Sequence, residues 1–444
     1  MLPARLLAGL DSPRAAPLIL AGGLGVRVAA LALSAAQPLL DDALDYHRMA
    51  LDLLAGLRFE PDWPPGLPYF LAAAAALAGP SALVARASML LLYLGLSAVV
   101  WLLAYRLQGR ATANLALLLI ALAPTQILHA VTPLTQLPTA FLLVAAVLSA
   151  WRASDAPTWA PLASMGLCLG ALVLVRPPSA LVCLGLPLAL VFLTRPRRVR
   201  AALVPLALAA ALVGAWTWKA HAMTGRFFFI NNANAQNLFY GNNPWTPLYR
   251  TWWFGSHKAG EPDVPTQFVA LHRSIGAHPP AERDRLFTRT ALDHIRARPD
   301  LFVLRSLNRL QVYFAFDTYT GSFLIKRGGA GRLPGLLVLG VDALVYLLVV
   351  AAALAFFAAH WPLEPPGRRL VTLALAAALL YSVPYWLSFA HPTYHFPIVP
   401  LFLPFAAAFA VQPAPIRRRY LFWGGLTALA LIQVPWVITM ASRV

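Results

Sequence analysis

Two acids three residues apart stand early in the chain, in Asp41-Asp42-Ala43-Leu44-Asp45-Tyr46-His47. On a helix, Asp42 and Asp45 share one face. Carboxylates held that way can bind a divalent ion, or one of them can take the proton of an attacking hydroxyl. A capped amphipathic helix uses the same residues, with Asp42 at the N-cap and Leu44, Met49, Leu51 and Leu54 on the apolar side. A second candidate is Arg176, in Leu174-Val175-Arg176-Pro177-Pro178. A guanidinium suits phosphate because its fork donates two hydrogen bonds; snorkelling to headgroups is the competing role. The run from Phe227 to Pro247 sets many side-chain amides beside aromatic rings. Amides serve sugar hydroxyls and ring faces pack on a pyranose, although Asn-Gly-Pro turn chemistry draws on the same residues. His129 and Gln136, and His391 with His395, are polar groups that read equally as hydrogen-bonded structure.

The elements that must position these groups are membrane helices. Only 12% of the 444 residues are charged and 59% are hydrophobic, against roughly 25% charged in a soluble protein. Many apolar runs reach the roughly 20 residues that cross a bilayer. This pattern excludes a secreted globular enzyme, a disordered scaffold and a coiled coil. The net charge of +18 falls mostly in short loops between those runs, which marks a cytoplasmic side rather than a nucleic-acid partner. Cys168 and Cys183 both lie in apolar runs, so neither a disulfide framework nor a cysteine metal site is indicated.

Spans are expected near residues 16–36, 82–104, 111–128, 137–151, 158–175, 179–194, 201–218, 334–358, 370–389, 396–412 and 420–440. Arg106 and Arg110, Arg152, Arg195 to Arg200, Arg368 and Arg369, and Arg417 to Arg419 then share one side with the N-terminus, the cytoplasmic one. The run Pro65–Gly79 is short for a span and is read as an interfacial helix on the outer leaflet. The expected organisation is an N-terminal membrane module over 1–218 with a catalytic first external loop at 37–80, an external and partly helical segment at 219–333, and C-terminal spans over 334–444. The chemistry is expected on the outer face of the inner (plasma) membrane.

Taken together, these segments resemble the polytopic glycosyltransferases of the GT-C type, in the bacterial branch related to protein O-mannosyltransferases and the lipid A aminoarabinose transferase. The resemblance rests on Asp42, Asp45 and Tyr46, on Pro64-Pro65-Gly66-Leu67-Pro68, on Leu174 to Pro177, on Gly241-Asn242-Asn243-Pro244 and on Tyr394-His395-Phe396-Pro397. It implies an all-α fold of about 11 membrane helices and an inverting sugar transfer from a polyprenyl-phosphate donor to a lipid, glycan or protein hydroxyl. It also implies Asp42, with Asp45, as general base or metal ligand for magnesium or manganese, and Arg176 with Lys219 on the carrier phosphate. Tyr46, His47, Gln136, Asn242, Asn243, Tyr394 and His395 would contact substrate. The chain departs from the family where Gln136 replaces an acid and where an arginine near Thr393 is missing; His395 is the basic group nearest that gap.

Two other classes fit a polytopic chain. A transporter or flippase places its substrate site near the membrane midplane, whereas the polar groups here cluster outside. A polysaccharide polymerase or ligase would depend on arginines and a histidine in the large external segment rather than on Asp42.

Overall fold

The computed structural model describes residues 3–57, 63–193, 198–227, 229–231, 234–248, 264–329, 331–360 and 365–441. Among them every regular element is helical. Two helices, α1 (Ala4–Asp11) and α2 (Ala15–Ser34), precede α3 (Asp41–Leu54) and α4 (Gly66–Ala78). The chain then runs through α5 (Ala82–Gln108), α6 (Arg110–Leu122), α7 (Pro124–His129), α8 (Gln136–Asp155), α9 (Trp159–Val175), α10 (Ala180–Leu193) and α11 (Arg198–Thr224). The segment expected to be external, between α11 and the closing helices, holds α12 (Asn234–Gly241), α13 (Thr266–Gly276), α14 (Pro280–Ala297), α15 (Pro299–Tyr313) and α16 (Tyr319–Lys326). The closing helices are α17 (Arg332–His360), α18 (Pro365–Leu387), α19 (Val399–Val411) and α20 (Arg419–Ala441).

Eight of these helical segments are long and apolar enough to cross a bilayer, and the protein is a multi-pass membrane protein. Three of the expected spans, at 111–128, 158–175 and 179–194, belong to a shorter class with α4. In the first of them Pro124 follows Ala123, whose backbone is extended, and splits the run into α6 and α7. Proline disfavours helical backbone in the residue before it, which accounts for the break.

The bundle is organised around α8. In its most apolar window 83% of residues are buried, against 11% in the first and last spans, so α8 is the axis and α2 and α20 are peripheral. It packs on α5, α9, α10 and α18. The arginine-rich connections gather at one end of the bundle. There Arg369 pairs with Asp155 at 2.9 Å, Gln108 bonds Gln412 at 2.6 Å, and the Arg200 guanidinium lies 4.3 Å from the Trp159 ring. Arg195 and Arg197 lie outside the described residues. Asp42, Gln136, Arg176 and Tyr394 share a cleft at the other end of the bundle, where α8 begins and α9 ends.

The external segment is helical after Pro265, as expected, and carries its own small core of Phe239, Phe268, Ile275, Phe287 and Ala291. Residues 249–263 of that segment lie outside the described residues.

Candidate active site

The first external loop does not cap its helix with Asp42. The N-cap is Leu40, helix α3 begins at Asp41, and Asp42 sits in its first turn beside the helix's positive end. Asp41 takes φ +50, a left-handed conformation uncommon for a residue with a side chain, and its carboxylate is ion-paired with Arg327 at the end of α16. The ion pair holds the entry of α3 and turns Asp42 toward a cleft of about 530 Å³ shared with Tyr46, Gln136, Arg176 and Tyr394.

Arg176 follows the last residue of α9. Pro177 behind it disfavours helical backbone, and Arg176 is extended, at φ −147 and ψ 94. Its Nη2 donates to the Thr135 hydroxyl at 2.6 Å and its Nη1 to the Tyr385 hydroxyl at 3.3 Å. The guanidinium carbon lies 5.3 Å from the centre of the Tyr394 ring. Among the described residues no carboxylate forms an ion pair with it. Its charge is therefore cradled by neutral oxygens and an aromatic face, with donors of the five-proton fork still free. The Pro64-Pro65-Gly66 turn docks here too. A Cβ on Gly66 would fall 2.8 Å from the backbone nitrogen of Val175, so only glycine allows that approach.

The Asp42 carboxyl is open to the cleft yet enclosed by protein on its other sides. Burial, and then the charge of Asp45, push its pKa above the ordinary carboxylate value; the Arg176 charge and its own backbone N–H oppose that shift. Tyr46, one turn on, is buried and stacks obliquely on Trp63 with ring centres 5.5 Å apart. Gln136 adds a buried Oε1 with no hydrogen-bond partner. A second cavity of about 450 Å³ meets the first at Asp42 and Gln136 and is lined on its far side by Arg86, Tyr319, Lys326 and Arg327.

A resident divalent ion at Asp42 and Asp45 does not fit this donor set. Asp45 lines neither cavity, Gln136 contributes a neutral amide, and Arg176 already acts on Asp42 as a positive charge. Among the described residues no three His, Cys, Asp or Glu side chains converge there.

Several expected substrate contacts lie elsewhere. Asn242 and Asn243 are buried, and their amides are bonded within the fold. Asn242 donates to the carbonyls of Leu238 and Leu387, both at 3.1 Å. Asn243 donates to the Phe239 carbonyl at 2.9 Å and accepts from the backbone N–H groups of Trp245 and Thr246, both at 3.0 Å. They shape a loop instead of facing a sugar, because each satisfies turn carbonyls or N–H groups that would otherwise be buried unpaired. His395 points away from the cleft, donates Nδ1 to the Tyr313 carbonyl at 2.6 Å and stacks on Tyr346; it does not supply the missing basic group. Lys219 lies over the Tyr69 ring, 5.0 Å from its centre, and does not line the cleft with Arg176. His47 is half-buried on α3 and lines neither cavity.

Sequence reasoning passed over Thr135 and Tyr385, the two hydroxyls on Arg176. Thr135 precedes Gln136, and Tyr385 belongs to an aromatic pair after Pro384, near the outer end of α18; that position was the available signal. It also passed over Arg305 and Arg309, one helical turn apart on α15. Arg305 donates to the Asn243 and Thr246 carbonyls. Arg309 donates to the Gly241 and Leu387 carbonyls and to the Asn242 side chain. These two side chains clamp the Gly241–Thr246 loop onto the end of α18.

Residues 62–219 match the dolichyl-phosphate-mannose-protein mannosyltransferase family, a stretch that contains Gln136 and Arg176. The structure is similar to that of the Archaeoglobus fulgidus oligosaccharyltransferase crystallised with zinc and sulfate, at 15% identity and a TM-score of 0.51, over 95% of this chain and 51% of that one. The fold is that of the GT-C glycosyltransferases. The chain spans about half the length of that oligosaccharyltransferase. It also aligns with ArnT from Cupriavidus metallidurans bound to undecaprenyl phosphate, at 15% identity and a TM-score of 0.43, over 89% of this chain and 76% of that one. No curated protein sequence matches the chain.

Proposed function

We propose that the protein is an inverting glycosyltransferase that moves a sugar from a polyprenyl-phosphate donor to an acceptor hydroxyl on the outer face of the inner membrane. The observation that carries this reading is the meeting of Asp42 and Arg176 in one cleft, a carboxylate with a raised pKa facing a guanidinium that has no acidic partner among the described residues. Membership of the GT-C fold and the match over 62–219 support it.

In this reading the carrier phosphate lies on Arg176, and the sugar lies against Tyr46, Tyr385 and Tyr394. The acceptor hydroxyl approaches Asp42 from the cavity of Tyr319 and Lys326. Its oxygen attacks the anomeric carbon from the face opposite the phosphate, and the bond from that carbon to the phosphate oxygen breaks. The leaving phosphate takes the electron pair beside Arg176, and the hydroxyl proton passes to Asp42. A base whose pKa is raised takes that proton more readily, and such catalysis contributes on the order of 10²–10⁴-fold. The fixed charge of Arg176 stabilises the negative charge that grows on the leaving group.

The test is mass spectrometry of lipid-linked sugars and envelope glycans in cells carrying the wild-type chain, a deletion, or Asp42→Asn. Deletion and Asp42→Asn should accumulate the same polyprenyl-phosphate sugar and lose the same glycan, which identifies the acceptor. A deletion that alters glycans while Asp42→Asn does not would return the polymerase or transporter readings.

A further inference from the structure

A second polar site lies behind Tyr394, and neither Asp42 nor Arg176 lines it. Asp342 is buried within α17, a helix apolar enough to cross a bilayer. An acid at that position is costly unless it has a partner, and it marks a functional site by default. Its carboxylate accepts from the Thr125 backbone N–H at 3.0 Å and from the Thr125 hydroxyl. Asp317, in the turn between α15 and α16, is also buried. It accepts from the Tyr319 N–H at 2.8 Å and from the Thr393 hydroxyl at 2.9 Å.

Both acids line one cavity of about 60 Å³, together with Gln126 and His395, and no lysine or arginine is among the described residues around it. Asp317, Asp342, Gln126 and His395 each bring an acceptor to this cavity, and the Thr125 and Tyr346 hydroxyls that also line it already donate, to Asp342 and to the Phe314 carbonyl. Gln126 is only 5% exposed, and its Oε1 has no hydrogen-bond partner. His395 gives its Nδ1 proton to the Tyr313 carbonyl, which leaves Nε2 of the neutral ring as a lone pair. Two buried carboxylates and an orphaned amide oxygen, with no cationic side chain, form the complement of a cation.

We propose that this cavity binds a hard divalent cation through Asp317, Asp342 and the Gln126 amide oxygen. Since no three acids or histidines converge closely enough to hold an ion alone, water completes the shell, as hard divalent ions commonly require. One water needs about 10–15 Å³ of such space, so the cavity accommodates an ion with retained water. The ion would join α7, α17 and the Asp317 turn to the Pro392–Ile398 turn that carries Tyr394 against Arg176.

The test uses the full chain in detergent after dialysis against a chelator. Magnesium, calcium, manganese or potassium is titrated while Tm is read from tryptophan fluorescence, and bound metal is counted by mass spectrometry after desalting. One divalent ion per chain and a rise of at least about 3 °C are expected, both lost in Asp342→Asn and in Gln126→Leu, and both kept in Asp42→Asn. Gln126→Leu removes an acceptor that has no donor, so it leaves the chelated protein as stable as before or more so. It therefore reports on the ion even if Asp342→Asn fails to fold. Four results would overturn the proposal: no divalent ion bound, an equal response to potassium, a response that survives Gln126→Leu, or one that disappears in Asp42→Asn.

Discussion

The Nη2 of Arg176 donates to the Thr135 hydroxyl at 2.6 Å and so ties the end of α9 to the residue that precedes α8, the axis of the bundle. With the Tyr385 hydroxyl on Nη1 and the Tyr394 ring nearby, this bond fixes the direction of the fork without neutralising it. A buried cation held only by neutral groups is left for an anion to complete, because an unpaired buried charge is costly.

Arg176→Lys keeps the charge and loses the fork. A hydrogen bond to a charged group contributes about 1.5–3 kcal/mol, so kcat/KM for the lipid-phosphate donor should fall about 10- to 100-fold. Tm should change little. Transfer rates measured against donor concentration check this; a fully active Lys variant would mean that charge alone suffices.

Thr135→Val keeps the shape and removes the acceptor. It should raise KM for the donor more than it lowers kcat, by about 10-fold, since Arg176 stays charged but is no longer aimed. Equal loss in both constants with a lowered Tm would mark Thr135 as a folding residue only.

Asp42→Asn should abolish transfer and stabilise the protein at neutral pH. The carboxyl pKa is raised in the folded chain, by burial first and by Asp45 second. Between the unfolded value, near 3.9, and the higher folded value, the folded state binds more protons, so stability falls as pH rises through that window. The neutral amide does not incur that loss. In the wild type, kcat/KM should rise with pH through a limb above the usual carboxylate range as the base ionises. Denaturation midpoints followed upward in pH from the ordinary carboxylate value, and a pH–rate profile, test the two halves separately.

The helices were legible because a bilayer imposes one rule, about 20 apolar residues between charged connections, and eight helical segments between α2 and α20 follow it, while α6, α9 and α10 are shorter. Asp42 and Arg176 stood out because each is a charged group beside an apolar run, on the sparsely charged side. Asn242 and Asn243 misled because an amide that satisfies turn carbonyls and one that faces a sugar look identical in sequence. Thr135 and Tyr385 gave little signal. Their role comes from contacts 41 and 209 residues away from them along the chain, which no local pattern encodes. Asp317 and Asp342 line one cavity for the same reason, through the packing of α16 and α17 on each other and on α7.

Gly241→Ala should destabilise the chain strongly. A Cβ there would run into the Ser388 carbonyl oxygen, so the loop and the end of α18 must part. Parting them leaves Arg309 without the Gly241 and Leu387 carbonyls it now reaches, at about 1–3 kcal/mol for each buried group left unpaired. Limited proteolysis in detergent should cut the variant near residue 241 under conditions that leave wild type intact.

Gln136→Glu tests how the two cavities share Asp42. The Gln136 amide lies where they meet, with an Oε1 that has no hydrogen-bond partner, and itself brings no charge to Asp42. A glutamate there places a second anion beside Asp42 in addition to Asp45. Like charges raise each other's pKa, so the acid limb of kcat/KM should move to higher pH. Activity at the low end of the profile should drop while the plateau at high pH persists. Gln136→Leu removes the orphaned acceptor without adding charge, so it should leave the limb in place and hold or raise Tm. A limb that moves equally in both variants would mean that Gln136 acts on Asp42 through packing and not through its charge state.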